Sequence, residues 1–207
     1  MRLFLCPDSR IRLADTQRRQ GTSCVNSRIR NPFLKLMNTA SAAAVDSSPV
    51  HPASYQWSDS LLTGDARMDE THREFAEQLG ALLATPEADQ LPLYREFLAH
   101  TIAHFAQEDR WMLATGFTAG NCHSDQHAMI LETMQAVVRH YEKGETDIIN
   151  RMGEALAEWF DQHAASMDAG LAQHLQSIGF DSATETLADA STLRHVTVSG
   201  CGSVSCS

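Results

Sequence analysis

The stretch from Phe97 to Trp111 reads FLAHTIAHFAQEDRW, and it decides the fold class. Phe97, Thr101, His104, Glu108 and Trp111 are spaced four and three residues apart. That spacing is the period of a helix packed in a bundle. Histidine and glutamate occupy two of the positions at which a bundle normally places apolar side chains. The stretch therefore predicts a packed helix that directs polar groups into the interior.

Three further segments have the same spacing, with links between them that are short. Their inward-facing positions are Met68, His72, Phe75, Leu79 and Leu82; then His123, His127, Ile130, Met134, Val137 and Tyr141; then Ile149, Met152, Leu156, Trp159 or Phe160, His163 and Met167. Short links imply antiparallel neighbours. We therefore expect an all-α fold, an antiparallel up-down-up-down four-helix bundle, in a domain of residues 55–179.

Composition and charge exclude several classes of protein. The chain has 207 residues, of which 43% are hydrophobic and 20% charged, so it is not disordered throughout. No run approaches the roughly 18 apolar residues that span a bilayer. The net charge is −10, and the body after Met37 is strongly acidic, which disfavours nucleic acid as a partner. Five scattered cysteines are not a disulfide framework, and a cytoplasmic location fits them better.

The two ends of the chain lack helical periodicity. Residues 1–54 are expected to be a disordered leader. Its Arg-rich, acid-poor part up to Lys35 is compatible with a transit peptide or a basic arm, and the alternative is that Met37 is the true start. Residues 180–207 are rich in Ser, Thr and Gly, and we expect a flexible tail that carries Cys201 and Cys206.

Polar residues on the inward-facing positions are the informative feature. They are His72, His104, Glu108, His123, His127 and His163. A single inward histidine is usually satisfied by a backbone carbonyl. Six such groups would each cost about 1–3 kcal/mol if unpaired, against a net stability of about 5–15 kcal/mol. A metal satisfies all of them at once, and two of the pairs have the i,i+4 spacing that places both side chains on one helix face.

Asp168 is a seventh candidate ligand with an irregular spacing. It follows His163 by five residues, which on a regular helix places it about 140° away from the histidine. A local widening of the helix, such as a π-bulge, would bring it to the site, and so would a reach across the bundle. The sequence does not choose between them.

Seven donors are too many for one ion. For two octahedral ions, five imidazoles, two bridging carboxylates and a bridging oxide or hydroxide fill all but one position. Imidazole and carboxylate without thiolate suit iron, and an open position on a ferrous ion suits O₂ or NO. Zinc is normally satisfied with four ligands.

Between Trp57 and about Leu175 the chain resembles the prokaryotic hemerythrins, which are non-haem di-iron four-helix bundles. The residues that carry the resemblance are Trp57, Gly64, Met68-Asp69-x-x-His72, His104-Phe-x-x-Glu108-x-x-x-Met112, His123-x-x-x-His127 and Trp159-x-x-x-His163-x-x-x-x-Asp168. The resemblance implies that His123, His127 and His163 hold one iron and that His72 and His104 hold the other. It also implies that Glu108 and Asp168 bridge the two irons and that the two-histidine iron takes O₂.

The function that this resemblance implies is reversible O₂ binding for storage, delivery or sensing, by a protein that is not an enzyme. The alternative is a di-iron stress protein or enzyme, acting as an oxidase, scavenging peroxide or NO, or repairing iron centres. A third class is an iron-responsive interaction module that uses the cysteine tail. O₂ is the expected partner, with NO or small anions as substitutes. We expect neither a nucleic-acid nor a membrane partner, and a monomer is favoured.

The resemblance also indicates an oxygen pocket lined by Trp159, Phe160 and Ala164. Phe160 stands where hemerythrins commonly have Leu, and Ala164 where they commonly have a bulky Ile. The smaller Ala164 predicts a thinner wall unless Phe160 covers the gap. A thinner wall admits water and anions, so fast autoxidation is expected.

Overall fold

The computed structural model describes residues 55–117 and 122–189. Four long helices are present, as predicted: α1 (Ala66–Ala84), α2 (Gln90–Thr115), α3 (Cys122–Tyr141) and α4 (Ile148–His163). Short 3₁₀ helices at Asp59–Leu61 and Glu87–Asp89 precede α1 and α2.

Local signals explain where two of these helices begin and end. Asp65 caps the start of α1, where its carboxylate accepts hydrogen bonds from the backbone N–H groups of Arg67 and Met68. Helix α2 ends at Gly116, whose φ of 69° is the left-handed conformation that glycine adopts without strain. These caps fix the level of the inward-facing residues on both helices.

The helices form a closed ring of neighbours. Helix α1 packs against α2, α2 against α3, α3 against α4, and α4 against α1. This arrangement confirms the four-helix bundle, and the short connections are consistent with alternating helix directions.

The apolar core has two parts. The larger one includes Phe75, Leu79, Leu82, Tyr94, Phe97, Ile130, Met134, Val137, Ile149, Met152 and Leu156. The smaller one comprises Met68, Trp111, Met112, Phe117, Leu171, Ala172, Leu175, Ile178 and Phe180. His72 lies on α1 between Met68 of the smaller part and Phe75 of the larger part. The polar inward residues thus lie where the two parts meet.

The chain after α4 changes its helical geometry. Ala164–Asp168 form a π-helix, and α5 (Ala169–Ser177) continues from it. In a π-helix the hydrogen bonds run from residue i to i+5, so residues five apart lie on the same face. The structure thereby selects the local widening that the spacing of His163 and Asp168 had left open.

A short β-hairpin follows α5. Strand β1 (Phe180–Asp181) pairs antiparallel with β2 (Thr186–Leu187). Phe180 is buried in the smaller core part, and the Ser182 hydroxyl donates a 2.7 Å hydrogen bond to Asp65. The prediction of a flexible tail from residue 180 is therefore wrong for 180–187. The polar residues of this stretch form a tight turn, while Phe180 packs against the other residues of the smaller core part.

Several sequence predictions fall outside the described residues. They concern the 1–54 leader, the alternative start at Met37, and the cysteines Cys201 and Cys206. Within 55–117 and 122–189, no helix is long and apolar enough to cross a membrane.

Candidate metal centre

The structure brings all seven predicted side chains together inside the bundle. The set comprises His72 from α1, His104 and Glu108 from α2, His123 and His127 from α3, His163 from the end of α4, and Asp168 from the π-helix. None of the seven residues is more than 3% exposed. Such burial of ionisable groups is rare unless the groups are paired or bind a metal.

Glu108 contacts histidines on both sides of the site. Its Oε1 lies 2.8 Å from His104 Nε2, whereas its Oε2 lies 3.1 Å from His123 Nε2. Because the two oxygens of one carboxylate face different histidines, this side chain has the orientation of a bridging ligand.

Asp168 has the same orientation. Its Oδ1 lies 3.0 Å from His123 Nε2 and 3.2 Å from His163 Nε2, and its Oδ2 lies 3.3 Å from His72 Nε2. The π-helix makes this possible, since it places Asp168 on the face of His163.

The seven residues divide into two groups that share Glu108. The three-histidine group consists of Glu108, His123, His127, His163 and Asp168, and the two-histidine group consists of His72, His104 and Glu108. Within each group the candidate ligand atoms lie within 4.8 Å of one another. Each group could therefore hold one metal ion.

The hydrogen-bonding state of these atoms tests whether a metal fits. In the described part of the chain, Glu108 Oε2, both oxygens of Asp168 and the Nε2 atoms of His72 and His123 lie close to one another, but none of them makes a hydrogen bond of regular geometry. A buried polar group left unsatisfied costs about 1–3 kcal/mol. Metal coordination supplies the missing partner to each atom, and nitrogen and oxygen donors without a thiolate match a non-haem iron site.

Electrostatics keep the two carboxylates ionised. Burial would raise the pKa of Glu108, and the nearby Asp168 adds to this effect, but His104 and His123 hold the pKa well below its usual range. Burial would likewise raise the pKa of Asp168, yet His163, His123 and His72 lower it well below its usual range. Both groups are thus in the form that binds cations.

The histidines separate into two kinds. Burial lowers the pKa of His104, His127 and His163, which keeps them neutral and ready to ligate. Burial also acts on His72 and His123, but the carboxylates of Asp168 and Glu108 overcome it and raise each pKa to about 10. Two imidazolium charges then balance the two carboxylates in the metal-free protein.

Aromatic rings cover the two-histidine group. Phe160 lies edge-on to His72 with ring centroids 5.1 Å apart, and it stacks on Phe75 at 4.2 Å. Ala164 is buried in the π-helix. Phe160 therefore does lie beside the group for which the oxygen pocket was predicted.

Trp159 adjoins the other group of ligands, and its place in the oxygen pocket stays a prediction. Its ring stacks on His163 at 4.3 Å, so it adjoins the three-histidine group. The sequence pattern gave Trp159 and Phe160 as alternatives for one inward position. The structure buries both, with each ring against a different group of ligands.

Three residues that the pattern did not select contact the three-histidine group. Phe105 stacks on His127 with centroids 4.0 Å apart, Asp109 lies 3.5 Å from His127 Nδ1, and Gln126 contacts His163. Each directly follows or precedes a candidate ligand in the sequence, off the inward-facing positions. Their position next to a candidate ligand in the sequence is the signal by which these three residues could have been predicted.

Comparisons with known proteins agree with this geometry. Residues 63–175 match the model of the hemerythrin HHE cation binding domain. The chain is also similar to a bacteriohemerythrin from Ralstonia nicotianae, with 36% identity over 133 residues that cover 64% of this chain and 97% of that relative. No solved structure matches the chain.

Proposed function

This chain belongs to the hemerythrin family, and from that membership we propose that it binds O₂ reversibly at a non-haem di-iron centre, for storage, delivery or sensing. The observation that carries the proposal is the double orientation of the two carboxylates. Glu108 and Asp168 each turn one oxygen toward each group of histidines, as two adjacent metal ions require.

In this proposal each histidine group would hold one iron, with Glu108 and Asp168 shared between the two ions and an oxide or hydroxide as a further bridging ligand. A pair of ferrous ions supplies an open coordination position and the electrons for binding O₂. The two-histidine group offers fewer protein donors than the three-histidine group. The open position would therefore lie on the iron held by His72 and His104.

The protein's own contribution is to exclude water from that position. Phe160 lies beside both histidines of the two-histidine group, with ring centroids 5.1 Å from His72 and 6.4 Å from His104. The ring of Phe75 stacks on that of Phe160, and its centroid lies 6.0 Å from the centroid of the His104 ring. An apolar wall admits a small neutral molecule more readily than an anion or a hydronium ion. This environment supports binding and release of O₂ without its consumption.

The ligand set also supports binding over catalysis. Di-iron oxidases of the ferritin-like type use mostly glutamate with two histidines, whereas this site has five histidines and two carboxylates. We therefore propose a binding protein with no enzymatic turnover. The cytoplasm is its proposed compartment, because five scattered cysteines are not the pattern of the disulfide framework found in small secreted domains.

Anaerobic loading with Fe(II) followed by oxygenation tests the proposal. The protein should bind two iron ions per chain and develop a visible absorption band on addition of O₂ that disappears on deoxygenation over repeated cycles. Glu108→Gln should reduce iron content, while Glu96→Gln at an exposed position of the same helix serves as the matched control. One iron per chain, or a ferric spectrum that never returns, would contradict reversible binding.

A second candidate function is scavenging of NO or peroxide, and Ala164 is the observation that favours it. Ala164 directly follows His163 and is buried in the same apolar core as Phe160, and its side chain fills less of that core than a bulky aliphatic residue would. The same experiment separates the two functions, because a scavenger converts its ligand and remains ferric after one cycle.

A further inference from the structure

Gln126 lies between two side chains of α4. Its Oε1 accepts a hydrogen bond from Trp159 Nε1 at 3.2 Å and a second from His163 Nδ1, also at 3.2 Å. Gln126 itself belongs to α3, one residue before His127. One amide oxygen thus ties a candidate ligand on α4 to the neighbouring helix.

The chemistry of the indole fixes the direction of both hydrogen bonds. A tryptophan N–H can only donate, so the amide atom that faces Trp159 is the oxygen. Because the same oxygen also faces His163, the Nδ1 of that imidazole must carry the proton. In a neutral imidazole the other nitrogen then holds the free lone pair. For His163 this is Nε2, the atom that faces Asp168 and the metal site.

His163 is the candidate ligand with most need of such support. It is the last residue of α4, and the π-helix begins at the next residue, so the regular helical hydrogen bonding changes there. Its Nδ1, the ring nitrogen that faces away from the metal site, also has a hydrogen-bond partner. In the described ranges the Nδ1 atoms of the four other candidate histidine ligands make no hydrogen bond, and His127 Nδ1 lies at an ion-pair distance of 3.5 Å from Asp109.

We propose that Gln126 is a positioning residue that holds His163 in its metal-binding tautomer, and that the Trp159 N–H sets the orientation of the Gln126 amide. This inference depends on the metal site of the proposed function but not on O₂ binding. Partners of this kind on a ligating histidine fix the ring and raise its basicity, and their loss typically reduces metal affinity 10- to 100-fold.

Anaerobic metal affinity tests the proposal on the full-length chain, by competition of Fe(II) or Co(II) against a chelator. Gln126→Met keeps the side-chain length and removes the acceptor, so one of the two metal ions should bind about 10-fold or more weakly. Gln126→Glu keeps an acceptor and should retain tight binding. The matched control is Gln135→Met, at an exposed position of the same helix, which should bind like the wild type.

The reduction potential of the iron provides a second test, because a merely structural role of Gln126 would leave that potential unchanged. A carboxylate on His163 Nδ1 makes the imidazole a stronger donor and favours the ferric state. Gln126→Glu should therefore lower the potential of one iron relative to wild type and to Gln135→Met. Trp159→Phe retains the ring and removes the N–H, so it should weaken metal binding by less than Gln126→Met does.

Two outcomes would overturn the proposal: equal affinities for Gln126→Met and Gln135→Met, or a loss in Gln126→Glu as large as in Gln126→Met. If Gln126→Met does not fold, Trp159→Phe decides, and wild-type affinity together with an unchanged potential in that variant refutes the role. The failure of O₂ binding is a separate result. Weakened metal binding in Gln126→Met would support the positioning role even if O₂ did not bind.

Discussion

Loading the metal-free protein with metal at pH 8 should release about two protons per chain. The protons come from His72 and His123, whose pKa values are each raised to about 10 by the buried carboxylates of Asp168 and Glu108. A metal ion must displace them, because only a deprotonated imidazole nitrogen can ligate.

The magnitude follows from the pKa values of the individual groups. At pH 8 a histidine with a pKa of about 10 is almost fully protonated, so these two residues contribute about two protons. The pKa values of His104, His127 and His163 are lowered, and those rings contribute none. If all five histidines had the ordinary pKa of about 6.5, they would together release only about 0.15 proton at pH 8. A bridging hydroxide formed from water would add one proton at most.

Isothermal titration calorimetry with Co(II) or anaerobic Fe(II) measures this release, in buffers that differ in ionisation enthalpy. His72→Gln should lower the count by about one proton, whereas His140→Gln, at a half-exposed position of α3, should leave it unchanged. Above about pH 10 the histidine contribution should decline, while a proton from a bridging hydroxide persists. A release below about one proton at pH 8 would refute the charge balance inferred for the metal-free site.

Three other predictions concern stability and access. Stability from His72 and His123, whose pKa is raised, is fully present below their unfolded pKa of about 6.5 and is lost as the pH rises to about 10. Stability from the other three candidate histidine ligands, whose pKa is lowered, is present above about 6.5 and is lost as the pH falls. The metal-free protein should therefore melt at the highest temperature near pH 6.5, and a higher Tm at pH 9 or at pH 4.5 would contradict this. A chain of residues 55–179 lacks the buried Phe180 and should melt at least about 5 °C lower by calorimetry than a chain of residues 55–189, and equal melting temperatures would contradict a packed role for the hairpin. Ala164→Ile should slow autoxidation and Phe160→Ala should accelerate it in stopped-flow decay of the oxygenated form, and an unchanged rate in Ala164→Ile would show that this wall does not control access.

The sequence was sufficient for the helices and for the choice of candidate ligands, because both follow from one signal. The four-and-three spacing predicts which residues face inward. A histidine or glutamate at such a position is conspicuous, since a buried polar group must find a partner. His72 and Glu108 were selected in this way, and the structure does place them in one cluster.

Contacts that depend on departures from regular geometry could not be predicted in the same way. The spacing rule assumes an α-helix, so it assigned one inward position to either Trp159 or Phe160 and could not place Asp168. The hairpin of residues 180–187 was missed for another reason. A stretch rich in Ser and Thr has the composition of a linker, and only the structure shows that Phe180 packs in the smaller core part.

The segment around the π-helix supplies two of the seven candidate ligands. Residues 163–168 supply one terminal candidate ligand, His163, and one bridging candidate, Asp168, and the widened turn is what aligns them. Such a turn is a rare and less favourable form of helix, often found at functional sites. Two restraints act on its ends: the Gln126 amide holds the ring of His163, and metal coordination would hold the carboxylate of Asp168. When the metal is removed, Asp168 keeps its ion pairs with His72 and His123 in place of coordination bonds, so this segment is where the bundle should loosen first. Hydrogen exchange of the backbone at 164–168 should therefore accelerate on chelation more than exchange in the middle of α1, and equal acceleration in both places would show that the widened turn is stable without the metal.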